Sequence, residues 1–267
     1  MAYPGRMIII GRNPMDTHNV IIYAITGRSP ASQARKFEFK DNELLVKPTD
    51  EEELSKGDPD LLIYPAVSIK GCVGVSNGKH TLSLMEKYNV GMGPLEVLSR
   101  GLDQWTYEPD PPHFTPRISG FITPGSPKYA LGILKRGKEG ERVMKKFEFS
   151  MKPGGGRMIA TYSGDNMNPL PSFGGEPRNC DLPFDDVRDA GRAVYRALGP
   201  IEGNDFRVAL AAFFIDSNKI NHYIINRCDE SPTEICGFHP RKRRNLLPLL
   251  RPHQTVGVTE EDSCGGS

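Results

Sequence analysis

Short runs that are either wholly apolar or alternate with a period near two recur along most of the chain. Such runs at 7–10, 20–26, 36–39, 43–47, 61–68, 72–76, 117–123, 129–134, 143–149, 157–163, 206–215 and 220–226 predict strands. Three stretches switch to helical spacing. At 80–88, Leu82, Met85 and Tyr88 recur three apart, and at 94–106, opened by Pro94, Leu95, Leu98, Leu102 and Trp105 share one face. In the third, Asp181 precedes Pro183, Asp185 and Asp186 fill the first turn, and Val187, Val194 and Leu198 line one side. Arg196 lies in its last turn and Gly199-Pro200 stops it. Strands come in blocks with helices grouped between them. That order predicts antiparallel sheets covered by helices, an α+β layered fold, rather than a doubly wound parallel sheet. No internal repeat or long linker divides the chain, although Lys152-Pro153-Gly154-Gly155-Gly156 breaks the pattern near the middle. Residues 1–238 read as one domain.

Composition narrows the class. The 267 residues suffice to bury a core without disulfide staples. With 34 Lys+Arg against 33 Asp+Glu, a globally basic nucleic-acid protein is disfavoured. Apolar runs such as 7–10 and 209–215 fall far short of the roughly 20 residues of a membrane span, and no charged-then-apolar signal peptide opens the chain. The 28 Gly and 23 Pro are scattered without period and mark frequent turns. Cys72, Cys180, Cys228, Cys236 and Cys264 make an odd number without a C-x-x-C pair, which argues against a disulfide framework or a zinc ribbon and for a reducing, cytoplasmic setting. The tail, 239–267, carries Arg241, Lys242, Arg243, Arg244 and Arg251 before Glu260-Glu261-Asp262, and reads as a basic, flexible extension or an arm for an anionic partner.

Four blocks could carry chemistry. Tyr3-Pro4-Gly5-Arg6 and Gly27-Arg28-Ser29-Pro30, the latter continuing to Ser32 and Arg35, set guanidinium forks at strand ends beside glycine. Backbone N–H groups and the hydroxyls of Ser29 and Ser32 complete what a phosphate requires, although a plain polar turn uses the same residues. Ser76-Asn77-Gly78-Lys79-His80-Thr81 is a tight turn before a helical pattern, able to present the Asn77 amide and backbone donors to an anion. His80 is a candidate base or a packing residue. Tyr107-Glu108-Pro109-Asp110-Pro111-Pro112 leads to Thr115-Pro116-Arg117-Ile118: a proline-stiffened loop with Glu108, Asp110 and Arg117, either a preorganised site or a surface loop with weak ion pairs. The 161–173 stretch, dense in amide and carboxylate groups, could bond a sugar or base, or simply turn. No Walker-type or G-x-G-x-x-G spacing is present.

Taken in order, Tyr3-x-Gly5-Arg6, the Tyr23–Arg35 segment, Ser76-Asn77-Gly78-x-His80-Thr81 and Thr115-Pro116-Arg117-Ile118 resemble the archaeal-type inosine monophosphate (IMP) cyclohydrolase family, over about residues 1–225 and most strongly in the first half. The resemblance implies a four-layer αββα sandwich like that of the N-terminal-nucleophile hydrolases. Here the chain opens Met1-Ala2-Tyr3, and Ala2 has no nucleophilic atom, so the fold is expected to work without that covalent chemistry. The implied reaction closes the ring of 5-formamidoimidazole-4-carboxamide ribonucleotide to IMP with loss of water, a step of purine biosynthesis belonging to the cyclic-amidine hydrolases. It needs no metal or cofactor. Implied roles are Tyr64, Glu108 and Arg28 as catalytic residues, with Tyr64, in Leu62-Ile63-Tyr64-Pro65, matching a family tyrosine by position. Arg6, Ser29, Arg35, Asn77, Gly78 and Arg117 would hold the substrate and its 5′-phosphate. A homo-oligomer is implied as well. The chain departs from the compact archaeal forms in the Asn166–Arg178 stretch and the basic tail. Two alternatives remain open at this point: a non-catalytic nucleotide- or RNA-binding protein using the arginine clusters and tail, and an amide hydrolase that exposes a nucleophile by internal cleavage.

Overall fold

The computed structural model describes residues 3–163, 167–200 and 203–229. It begins with an antiparallel hairpin, β1 (Arg6–Arg12) and β2 (Asn19–Thr26). After the short α1 (Pro30–Gln33) the chain builds a separate sheet from seven consecutive strands. These are β3 (Arg35–Lys40), β4 (Glu43–Pro48), β5 (Pro65–Ile69), β6 (Val73–Ser76), β7 (Arg117–Ile122), β8 (Lys128–Arg136) and β9 (Arg142–Ser150). Between β4 and β5 lie α2 (Glu51–Ser55) and α3 (Pro59–Leu62), and between β6 and β7 lie α4 (His80–Lys87) and α5 (Pro94–Gly101). The chain then returns through β10 (Gly155–Ala160), β11 (Arg178–Asp181), α6 (Val187–Ala197), β12 (Arg207–Ile215) and β13 (Ile220–Asn226) to complete the first sheet, in the order β11-β10-β1-β2-β12-β13. All pairings are antiparallel.

Period-two alternation decides which side chains face inward. Ile8, Ile10, Ile21, Ile25, Ala211 and Phe213 of the first sheet share one core with Phe37, Val67, Val75, Ile118, Leu131 and Ile133 of the second. Ring contacts between Tyr23 and Phe37 (5.6 Å) and between Phe39 and Phe213 (5.2 Å) cross the gap. The opposite parity on the second sheet, Phe121 and Ala130, packs on Leu84, Val97, Leu98 and Leu102 of the α4–α5 layer. On the outer face of the first sheet α6 approaches so closely that Gly191 lies over Leu210, Ala212 and Tyr223. The layers are therefore helix, sheet, sheet, helix, the α+β sandwich expected from the blocks of strands. Each wholly buried aliphatic or aromatic side chain contributes about 1.5–3 kcal/mol relative to exposure, so the layer between the sheets holds the fold.

Several predicted boundaries shift. The strand expected at 61–68 starts as α3, because Asp58 caps it and Pro59 fits its first turn; β5 begins only at Pro65. The helix expected at 94–106 stops at Gly101, and the chain turns so that the Trp105 indole N–H donates to Ser83 Oγ at 3.0 Å. In α6, Asp186 is the cap, accepting from the N–H groups of Arg188 and Asp189, so the helix starts four residues after Pro183. The polar edge strand β11 has no counterpart in the expected pattern. Cys72 and Cys180 are buried free thiols and Cys228 is exposed; Cys236, Cys264 and the 239–267 tail lie outside the described residues.

Candidate active site

Three arginines converge on one carboxylate at the end of the sandwich where β1, β3 and β7 begin. Arg6 opens β1 in the same parity as Ile8 and Ile10, and Arg35 opens β3 in the parity of Phe37 and Phe39, so both guanidinium groups enter the space between the sheets. Arg117 opens β7 and lies over the Trp105 ring at 4.9 Å while its Nε donates to Thr106 O at 2.7 Å. Glu108, in the proline-stiffened loop, is 1% exposed. Its Oε1 accepts from Asn77 Nδ2 at 3.2 Å, and Arg117 Nη1 and Arg6 Nη2 stand 3.8 and 4.0 Å from its two oxygens. The surface-loop reading of these acids is thereby replaced: Glu108 is interior.

Burial dominates the electrostatics. It pushes the Glu108 carboxyl up to about 7, with Asp110 adding to the rise and Arg6 and Arg117 opposing it, so near neutrality the group exists in both protonation states. Burial, then the neighbouring Arg6, brings Arg35 below its ordinary value. Burial also lowers Arg117 against the pull of Glu108. For Arg6 burial again opposes the charge, but Glu108 and the surrounding tyrosines outweigh it and the net shift is upward. Three guanidiniums thus face Glu108, with Asp110 as the second acid of the field, and Arg6 Nε and Arg35 Nη1 are buried without a hydrogen-bond partner in the structure. A site with surplus buried cations and unused donors is complementary to an anion.

Two hydroxyl systems flank this cluster. Tyr23 of β2 and Tyr64, just before β5, meet oxygen to oxygen at 2.8 Å across the two sheets. On the other side the Asp110 carboxylate accepts from both the N–H and the hydroxyl of Thr115, and Thr115 Oγ1 lies 2.6 Å from the Tyr162 hydroxyl. Since Thr115 gives its only hydroxyl proton to Asp110, Tyr162 must donate to Thr115. This chain ties the Glu108 loop to the segment after β10. Gly5 makes room there: its φ of +70° is left-handed, and a Cβ would come within 2.2 Å of Thr161 Oγ1 and 2.6 Å of the Tyr162 ring. Thr115→Val would leave Tyr162 and Asp110 each short of a buried partner, and should lower unfolding stability by about 1–3 kcal/mol in urea titrations.

The sequence-predicted residues divide. Arg6, Arg35, Arg117, Glu108, Asn77 and Tyr64 come together. Gly78 belongs to the same shell, because a Cβ there would lie 2.8 Å from Arg117 Nη1. Asn77 differs in role from the expected ligand donor: both its Nδ2 bonds go to protein, to Glu108 Oε1 and to Pro116 O at 2.9 Å, and its Oδ1 accepts from Ile118 N–H at 2.7 Å. Ser29 is exposed and serves as the cap of α1, accepting from Ser32 N–H at 3.2 Å. Arg28 lies outside the buried cluster, over the Tyr3 ring at 5.3 Å, beside His113 Nε2 at 3.2 Å and bonded to Met167 O. His80 is a packing residue: burial and then Arg117 bring its imidazole down to about 3, so it stays neutral beside Ile118 O and against Trp105. Tyr23, Thr115 and Tyr162 were not singled out, although period-two parity already turns Tyr23 toward the second sheet. Among the described residues no group of three or more His, Cys, Asp or Glu is arranged to hold a metal ion, and no helix is long and apolar enough to cross a membrane.

These features define a class by architecture: an α+β sandwich of two antiparallel sheets with an interior arginine cluster around a buried carboxyl whose proton equilibrium lies near neutrality. The chain belongs to the IMP cyclohydrolase-like protein family, whose sequence profile matches residues 3–219. Its relatives include a protein named IMP cyclohydrolase from Methanococcus maripaludis, 30% identical over 125 residues, which cover 46% of this chain and 60% of the relative. Another of the same name, from Methanothrix thermoacetophila, is 27% identical over 169 residues, covering 63% and 78%. The match to the M. maripaludis protein thus spans less than two thirds of that relative's length.

Proposed function

We propose that this protein is an IMP cyclohydrolase, closing 5-formamidoimidazole-4-carboxamide ribonucleotide to IMP. The observation that carries the reading is Glu108, a wholly interior carboxyl held by Asn77 and Arg117 with its proton equilibrium near neutrality. In the reaction the carboxamide nitrogen bonds to the formyl carbon and gives up one proton while the formyl oxygen gains one. That oxygen then leaves as water, its second proton coming from the formamido N–H as that nitrogen forms the new C=N bond. Glu108 can take the first proton and return it, and Tyr64 can donate to the oxygen. The unused donors of Arg6 and Arg35 suit the 5′-phosphate, and Arg28, nearer the surface, suits its outer side. Because both reacting groups belong to one molecule, holding it in a folded conformer supplies several kcal/mol of the barrier. The RNA-binding reading is weakened by the burial of Arg6, Arg35 and Arg117, which a nucleic-acid backbone could not reach. A cytoplasmic setting rests on the cysteine usage and a homo-oligomeric state on the family resemblance; light scattering would check the second.

The deciding experiment mixes purified protein with the formamido ribonucleotide and follows IMP by absorbance. Cyclisation well above the uncatalysed rate is expected, and its absence would end the proposal. Within the same assay Gly78→Ala should remain folded but slow the reaction by about 10- to 100-fold, because Arg117, pinned by Thr106 O and Trp105, can make room for the new methyl only by leaving Glu108.

A further inference from the structure

We infer that Tyr23 is a positioning residue that works only through Tyr64, donating its hydroxyl proton in a hydrogen bond to the Tyr64 oxygen while Tyr64 hands its own proton to the reacting molecule. The inference rests on the cyclohydrolase reading for what Tyr64 does, but the pairing itself is independent of any substrate. The two oxygens are 2.8 Å apart, and the residues are 0% and 2% exposed, so no bulk water competes for either hydroxyl. They come from different sheets, Tyr23 from the middle of β2 and Tyr64 from the segment entering β5, whose backbone carbonyl is held by Val46 N–H at 3.0 Å. The contact therefore fixes where the Tyr64 oxygen stands relative to the first sheet.

Either oxygen could donate, and the charges around them decide which does. Arg6 of β1, Arg35 of β3 and Arg117 of β7 are among the charges that face Tyr64, and Arg6 and Arg35 among those that face Tyr23. Of the acids in this field, Glu108 acts on both Arg6 and Arg117 and Asp110 on Arg117, and Tyr162 acts on Arg6. Burial and the neighbouring Tyr64 raise Tyr23 well above an ordinary phenol, so it keeps its proton. A hydroxyl that keeps its proton beside one that passes its proton on must be the donor. When the Tyr64 O–H bond breaks toward the reacting oxygen, the electron pair stays on Tyr64 and the Tyr23 O–H points at it. Tyr64 is then reprotonated by the proton that Glu108 took from the carboxamide nitrogen, which returns both groups to their starting states before the next turnover.

The test uses the full chain and three variants, Y23F, Y64F and Y23F/Y64F. Y23F keeps the ring that packs on Phe37, and its fold is checked by thermal melting. Y23F is expected to lower kcat by about 10-fold or more, the scale of one hydrogen bond to a charged group, with KM within about 2-fold. In the Y64F background the same change should cost nothing further. With 13C-labelled tyrosine, the Cζ resonance that disappears in Y64F should move in Y23F. An additive double variant, a loss confined to KM, or an unmoved Cζ signal would each overturn the inference. If the wild-type protein closes no ring, the cyclohydrolase reading fails by itself, and the Cζ signal still reports whether Tyr23 bonds Tyr64.

Discussion

Replacing Glu108 with glutamine is expected to lower kcat for ring closure by about 10²- to 10⁴-fold, the span of a lost general acid–base group. KM should change little, since glutamine fills the same volume and can keep the contact with Asn77 by turning its amide. The variant also reports the carboxyl through folding stability. An unfolded glutamate titrates near about 4.3, while burial holds the native Glu108 proton up to about 7. The native state therefore binds the proton more tightly, so the contribution of this group is fully present below the unfolded value, declines as pH rises through the folded one, and is flat beyond it. Glutamine cannot ionise. Thermal melts of the two proteins between pH 4 and 8 should show E108Q gaining on the wild type toward alkaline pH; parallel curves would mean that Glu108 is not held protonated by its surroundings.

Arg35→Met is expected to separate binding from stability. Arg35 is 1% exposed, its Nη1 has no partner in the structure, and the charged group that acts on it most strongly is another cation, Arg6. Without an anion present its charge is a liability, so methionine should raise the stability of the ligand-free protein by about 1–4 kcal/mol, as buried charges exchanged for apolar groups often do. With substrate the sign reverses: losing a charge-assisted contact to phosphate should raise KM by about 30- to 100-fold. Melting curves with and without the ribonucleotide measure both effects, and a variant less stable than the wild type in the absence of ligand would show that Arg35 is structural.

How far the sequence reaches is set by the range of the interactions involved. Parity along a strand is local, so Arg6 two positions before Ile8, and Arg35 two before Phe37, could be read as entering the layer between the sheets. The burial of Glu108 could not be read this way, because its loop has no period; it follows from Asn77, thirty-one positions away in the chain. Asn77 itself was misleading, since a strand, a turn and a helical pattern suggested an amide free for a ligand, whereas the fold spends it on Glu108 and Pro116. The link between Thr115 and Tyr162 crosses forty-seven positions and has no local signature. Leu61-Leu62-Ile63 is too short an apolar run for period alone to distinguish strand from helix, and the Asp58 cap and Pro59 that start α3 lie outside that run. The α+β layering was legible because it depends on the order of elements and not on any single boundary.

The route of the chain through the two sheets has a consequence for how the arginine cluster comes into being. The seven-stranded sheet pairs each strand with its neighbour in sequence, a meander of short-range contacts that can close as the chain is made. The other sheet joins β1 and β2 to β10 and β12, strands made long afterwards. Arg35, Glu108 and Arg117 are all in place on or beside the early sheet, whereas Arg6 receives its flank, Thr161 and Tyr162, only when the late strands arrive. During synthesis the half-built cluster would hold cations without the neighbours that position them. The cluster is thus complete only when the first sheet is, and a protein truncated before β10 would carry Arg6, Arg35, Glu108 and Arg117 without the segment that flanks Arg6.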